Sequence, residues 1–405
     1  MGEETNKYEA SQIQVLEGRE AVRKRPGMYI GSTGERGLHQ MVFEAADRAV
    51  SEVLAGRASR VDVTLTSDGG VRVADDGLGT RIGGAGESGT PGLEALLTRM
   101  QGFEARVWPG GRRDVTLGFR GVGLFVVNAL SNRLTAEERR DGVRWVQEYA
   151  RGVAVTPLTE AGTSTGSGTS IAFWPDAEIF ETAVCSFEAL AERFRELAFL
   201  NRAVDISLTD QRGPAESRSV RFRYPEGARD FVVFLDTRAG ESPHSEVSCF
   251  EQEDPRMAGT LEVALRWRGG GEERVRGFAN SRPTPGGGMH VQGLRDGVAA
   301  AVNAYARERG LLKAADPDLG ADRIGEGLTA VVSVKLDLPE FAGSTRDVLG
   351  NAAVRPCVGQ AVREHLGSWL AEHPERAAAV IGRVVQGNSV SSQCVQLDAA
   401  AWGRR

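Results

Sequence analysis

The chain has 405 residues, of which 41% are hydrophobic and 26% charged; it is longer than one ordinary domain of about 100–200 residues and apolar enough to bury real cores. Its 49 basic and 55 acidic side chains give a formal charge of −6, which excludes a module that grips nucleic-acid phosphates along its whole surface and a chain disordered throughout. No apolar run reaches the about 18 residues of a membrane span, and the start MGEETNKYEA lacks a signal-peptide pattern. Cys185, Cys249, Cys357 and Cys394 form no closely spaced pair, so reduced thiols in a cytoplasmic protein without membrane contact are expected.

Residues 1–17 read as a polar arm, followed by the short basic stretch Glu20–Pro26. From Leu38 a helical period sets in: Leu38, Met41, Val42, Ala45, Ala49 and Val53 share one face, and Glu44, Asp47, Arg48, Ser51 and Glu52 fall on the others. Arg60–Thr66 and Gly70–Ala74 alternate as a strand pair around a Ser67-Asp68-Gly69 turn. After them come Asp75-Asp76-Gly77-Leu78-Gly79, a glycine-rich stretch from Gly83 to Gly118, and a helix over Val122–Leu130. Strands fill 134–174 and a helix covers 186–200. A polar connector, Asp210–Ser219, precedes a second half that opens in strand-like alternation. That half contains the strands Leu261–Trp267 and Leu328–Leu336 and helices over 293–309 and 352–371. The expected division is an arm over 1–17, an α/β domain over 18–220, a second α+β domain over 221–386 and a tail over 387–405.

Three pieces of the first domain belong together chemically. Glu44 stands one helical turn before Arg48, Asp75-x-Gly77-x-Gly79 ends a strand, and Gly118-x-x-Gly121-x-Gly123 opens a helix. Glycines there let backbone N–H groups approach phosphate oxygens, and the helix start adds a favourable dipole. An aspartate at a strand end can accept a hydrogen bond from an adenine amino group, and a carboxylate on a helix can orient a water toward a γ-phosphate. Each signal alone is weak, because 51 glycines make many ordinary turns and most helix glutamates are merely solvated.

The arm and helix text YEASQIQVLEGREAVRKRPGMYIGSTGERGLHQMVFE resembles the N-terminal region of the DNA gyrase B subunit, the ATPase subunit of type IIA topoisomerases. The resemblance continues through VDVTLTSDGGVRVADDGLG, GFRGVGLFVVNALS, GTSIAFWPDAEIFE, GGGMHVQGLRDGVAAAVNAYARERG and EGLTAVVSVKLDLPEF, over roughly residues 8–385. It implies an α+β fold: a GHKL (Bergerat) ATP-binding domain of helices on a mixed sheet, then a ribosomal-protein-S5-like transducer domain. It also implies ATP as ligand, nucleotide-dependent homodimerisation, and a place in DNA topology. Position by position, Glu44 matches the family's general base and Asp75 its adenine-binding aspartate, with Gly77 and Gly79 beneath the base. Gly118, Phe119, Arg120, Gly121, Val122 and Gly123 match the phosphate-covering lid, and Thr169 the threonine that supports the adenine-bound water. Tyr8 matches the arm residue that reaches the partner's nucleotide, and Thr345 and Arg346 the transducer loop that offers a lysine to the γ-phosphate.

The departures from the family concentrate at the chemistry. Arg48 replaces the asparagine that ligates Mg²⁺, and a guanidinium has no acceptor lone pair. Magnesium at that place is therefore unexpected. Glu44 and Arg48 are also spaced to pair along the helix, which would lower the basicity of Glu44. The change to Arg346 weighs little in a chain with only four lysines. Nothing after IGRVVQ resembles the TOPRIM domain that supports DNA cleavage. These features give three readings. One is a gyrase-B-like ATP-binding protein with poor hydrolysis, acting on gyrase through mixed dimers and touching DNA weakly at most. The others are a working topoisomerase ATPase subunit and a bare interaction module.

Overall fold

The computed structural model describes residues 18–79, 92–100, 123–182, 184–213, 217–240, 246–343 and 346–384. The arm over 1–17 and the tail over 387–405 lie outside the described residues. The chain divides into two compact units, Met1–Arg195 with Ala203–Arg223, and Glu196–Arg202 with Tyr224–Arg405.

The first unit contains helices α1 (Gly18–Lys24), α2 (Gly27–Ile30) and α3 (Glu35–Leu54), then the hairpin β1 (Val61–Leu65) and β2 (Val71–Asp75). Helices α4 (Leu93–Thr98) and α5 (Leu124–Ala129) precede the strands β3 (Ser131–Arg140), β4 (Val143–Ala150), β5 (Val153–Ala154), β6 (Thr159–Thr163) and β7 (Gly168–Pro175). Helix α6 (Phe187–Leu200), which belongs to this unit as far as Arg195, and the pair β8 (Ile206–Asp210) and β9 (Arg218–Phe222) follow. The strands form one mixed sheet in the order β5-β4-β3-β7-β2-β1-β8-β9, with β6 on β4. Neighbours are antiparallel except β1 and β8. Because β8 and β9 pair with each other, the polar connector expected between domains is the link of a hairpin inside this unit.

Register fixes which side chains share a face. Val63 pairs with Val73, Val73 with Ile171, and Ile171 with Ala136. All four are buried, and Leu134, Phe173 and Tyr149 extend the same face. Helix α3 lies over β1, β2 and β7, and its buried stripe runs from Leu38 through Met41, Ala45 and Ala49 to Val53. Phe43 of α3 meets Phe194 of α6 edge to face at 5.8 Å, an arrangement that adds to the area both rings bury. Arg23 clamps α1 down, donating to the Ala129 carbonyl at 2.9 Å and to Asp176 at 2.7 Å.

The second unit opens with a helix, α7 (Ala228–Arg238), where alternation had pointed to strand. The strands β10 (Ser248–Asp254), β11 (Gly259–Trp267), β12 (Arg274–Ala279) and β13 (Arg282–Pro283) come next. Helices α8 (Met289–Glu308) and α9 (Ala321–Gly325), strand β14 (Leu328–Leu336), the short strands β15 (Phe341–Ala342) and β16 (Val348–Leu349), and helix α10 (Val354–Glu372) follow, and residues 374–384 are again helical. Its sheet runs β10-β11-β14-β12-β13. On central β14, Ala330, Val332 and Val334 join the core formed with Leu294 and Val298 of α8 and Val358 and Val362 of α10. Val331 points the other way, into a cluster with Phe231, Val232 and Phe278. A strand buried on both faces reads as an unbroken apolar run, which is why LTAVVSVKL carries so little alternation. Among the described residues, no helix is long and apolar enough to cross a membrane.

Candidate functional site

Glu44 and Arg48 sit one turn apart on α3, at the edge of its apolar stripe. Sequence periodicity placed both outside the buried face, yet Glu44 is 2% exposed and the Arg48 side chain 10%. Strand β2 and helix α5 cover more of α3 than its apolar stripe alone. Each Glu44 oxygen has a donor: Gln40 Nε2 reaches Oε1 at 2.8 Å, and the Gly123 N–H reaches Oε2 at 2.9 Å. Gly123 takes up φ +73° as the chain turns into α5, a conformation that costs glycine little and strains other residues. The carboxylate on α3 is thus tied to the start of the next helix.

Asp75 ends β2, and its side chain is 1% exposed. The following Asp76 faces the opposite side of the sheet and is bonded by the Ser59 hydroxyl, the Ser59 N–H at 2.7 Å and the Arg60 N–H at 2.9 Å. Burial works to raise the Asp76 carboxyl, but these donors hold it below the usual carboxylate range. With Asp76 anchored outward, Asp75 is fixed inward. Its Oδ1 accepts the Gly77 N–H at 3.0 Å, and its Oδ2 pairs with Arg48 Nη2. The helical spacing directed Arg48 to Glu44; the folded chain sends its guanidinium across to the aspartate of β2, where a buried carboxylate needs a partner.

Strand β7 closes the arrangement. Ala74 pairs with Ser170, so Thr169 lies beside Asp75, and Thr169 is fully buried. Glu138 of β3 pairs directly with Thr169 and is 4% exposed. The motif reading passed over Glu138, although the alternation Leu134, Ala136, Glu138 puts it on the core face. Gly79 packs beside it: a Cβ there would lie 3.2 Å from Glu138 Oε1. Glu44, Arg48, Asp75, Gly77, Gly79, Gly123 and Thr169 all belong to the first unit. Arg346 belongs to the second, with φ +57°. Tyr8, Gly118, Phe119, Arg120, Gly121, Val122 and Thr345 lie outside the described residues.

A cleft of about 280 Å³ borders Asp75 and is lined by Arg60, Asp62, Ala74, Asp75, Asp76, Arg139, Gly166 and Ser167. It contains neither Glu44 nor Arg48. Among the described residues, no group of three or more His, Cys, Asp or Glu side chains could hold a metal ion.

The DNA gyrase B family profile matches residues 227–393. The 43K ATPase domain of Thermus thermophilus gyrase B, solved in complex with an aminocoumarin, superposes with a TM-score of 0.78 at 32% identity. The match covers 94% of this chain and 98% of that one. The chain belongs to the DNA gyrase B family. The gyrase B subunit of Streptomyces coelicolor is 45% identical over 400 residues, 95% of this chain and 58% of the relative, so the chain spans about three-fifths of that protein's length. The ATP-binding domain of Francisella tularensis topoisomerase IV, in complex with a small-molecule inhibitor, aligns at TM-score 0.71 and 30% identity over 92% of this chain and 97% of that one. The fold expected from the gyrase B resemblance, GHKL helices on a mixed sheet and then a second α+β unit, is the fold observed.

Proposed function

We propose that this gyrase B family member binds ATP at the Glu44–Asp75 site, hydrolyses it weakly or not at all, and uses nucleotide to control dimerisation. In this reading Asp75, Gly77, Gly79 and Thr169 meet the base, and Gly123 with residues 118–122 meets the phosphates. Glu44 is the group that would hold the attacking water. The observation that carries the reading is Arg48, one turn from Glu44 and paired with Asp75 inside the site. The residues do not fit a magnesium ion there. Arg48 offers no lone pair, and both Glu44 oxygens already accept N–H donors. At ~4 Å and an effective dielectric near 20, two like unit charges repel by about 4 kcal/mol, and roughly twice that for a divalent ion. Pairing with Asp75 discounts that repulsion but supplies no ligand. Dimerisation through residues 1–17, as homodimers or as mixed dimers with gyrase B, would then let the chain regulate gyrase.

A second reading, a working ATPase subunit of a type IIA topoisomerase, is favoured by the retained Glu44 and the 45% identity to a gyrase B subunit. Steady-state ATP turnover of the natural chain and of Arg48→Asn separates the two. The first reading expects turnover near background, rising about tenfold or more when asparagine restores a neutral oxygen donor. Turnover at an ordinary gyrase rate that falls in Arg48→Asn supports the second.

A further inference from the structure

We infer that Arg48 sets the nucleobase selectivity of the site, removing its preference for a 6-amino over a 6-oxo purine. The inference rests on the proposed nucleotide site and goes beyond it. A buried carboxylate accepts hydrogen bonds and cannot donate them, so a bare Asp75 would favour the amino group of adenine and repel the carbonyl of hypoxanthine or guanine. Here Asp75 is not bare. Its side chain is 1% exposed, Oδ1 accepts the Gly77 N–H at 3.0 Å, and Oδ2 carries the Arg48 guanidinium. An adenine amino group must displace the guanidinium or share its oxygen, and a 6-oxo group now meets a neutralised pair. Sites built to read one polar group reject the analogue lacking it by about 10⁴–10⁵. Neutralising the reader takes away most of that discrimination and weakens adenine binding at the same time.

The pair is set into the fold. Arg48 projects from the fourth turn of α3, and Asp75 is oriented by the outward anchoring of Asp76 on Ser59 and Arg60. An arginine there spans from helix to strand end; methionine has similar reach with no charge, and asparagine is shorter.

The test is calorimetric titration of the full chain with ADP and with IDP, in EDTA, for the natural protein, Arg48→Met and Arg48→Asn, with melting temperatures to confirm folding. The expected result is ADP and IDP affinities within about threefold for the natural protein, and a preference for ADP of about tenfold or more in both variants, with tighter ADP binding. A natural protein that already prefers ADP by about tenfold, or variants that bind ADP and IDP alike, would overturn the selectivity role while leaving a nucleotide site in place. Binding of neither nucleotide by any of the three proteins would sink the nucleotide-site reading itself.

Discussion

A guanidinium one helical turn beyond Glu44 reaches over to Asp75, and this changes what both carboxylates can do. Glu44 is held by Gln40 Nε2 and by the Gly123 N–H, one donor on each oxygen. Asp75 is paired before any ligand arrives. The motifs alone singled these residues out only weakly, and it was their order within text resembling gyrase B that drew attention to them. The partner of Arg48 was not legible, since four-residue helical spacing says nothing about a strand 27 positions later in the chain. Glu138 escaped for the opposite reason: it belongs to no motif and is placed only by strand pairing with Thr169. A further residue holds Asp75 through its backbone. At Gly168, φ is +141° and a Cβ would stand 2.1 Å from the Asp75 carbonyl oxygen, so the backbones of β7 and β2 pass too closely for any side chain. Gly168→Ala is expected to destabilise the chain by about 2–4 kcal/mol through strain and forced strand separation, read as a lowered urea midpoint. A midpoint unchanged from the natural protein would contradict this packing.

Among the elements, α3 and β14 were the easiest to read. A three- and four-residue apolar step over a 20-residue helix and a nine-residue strand with apolar residues on both faces each admit one burial pattern. Helix α7 was the hardest. Its centre, Phe231-Val232-Val233-Phe234, is rich in residues that favour strands, and tertiary burial of Phe231 and Val232 overrides that preference. The same helix carries a buried charge that no local pattern announces. Asp236 of α7 is fully buried, pairs with Arg266 of β11, lies 3.7 Å from Arg268, and accepts the Thr329 hydroxyl of β14 at 2.6 Å. Removing the anion from two buried arginines is costly, because their desolvation remains while the attraction is lost. Asp236→Asn should lower unfolding free energy by about 3–5 kcal/mol in equilibrium denaturation. A loss under about 1 kcal/mol would show that water or other groups already compensate the arginines.

Over the whole molecule, length and composition set the expectation of two or three domains, of which two compact units are found, and the motif text set the family. Apart from Glu196–Arg202, which belong to the second unit, the first unit runs to Arg223, a few residues past the polar connector, because β9 pairs back onto β8. Pairing of that kind is a long-range choice that composition does not encode. In the nucleotide-binding reading proposed above, the departure at Arg48 bears on how the site treats its ligand's usual metal. The most direct measurement is the dissociation constant of ATP for the natural chain in EDTA and in millimolar Mg²⁺, because metal and nucleotide sharing one site must be coupled. The two constants are expected to agree within about twofold, and a tightening by magnesium of about tenfold or more would contradict the account.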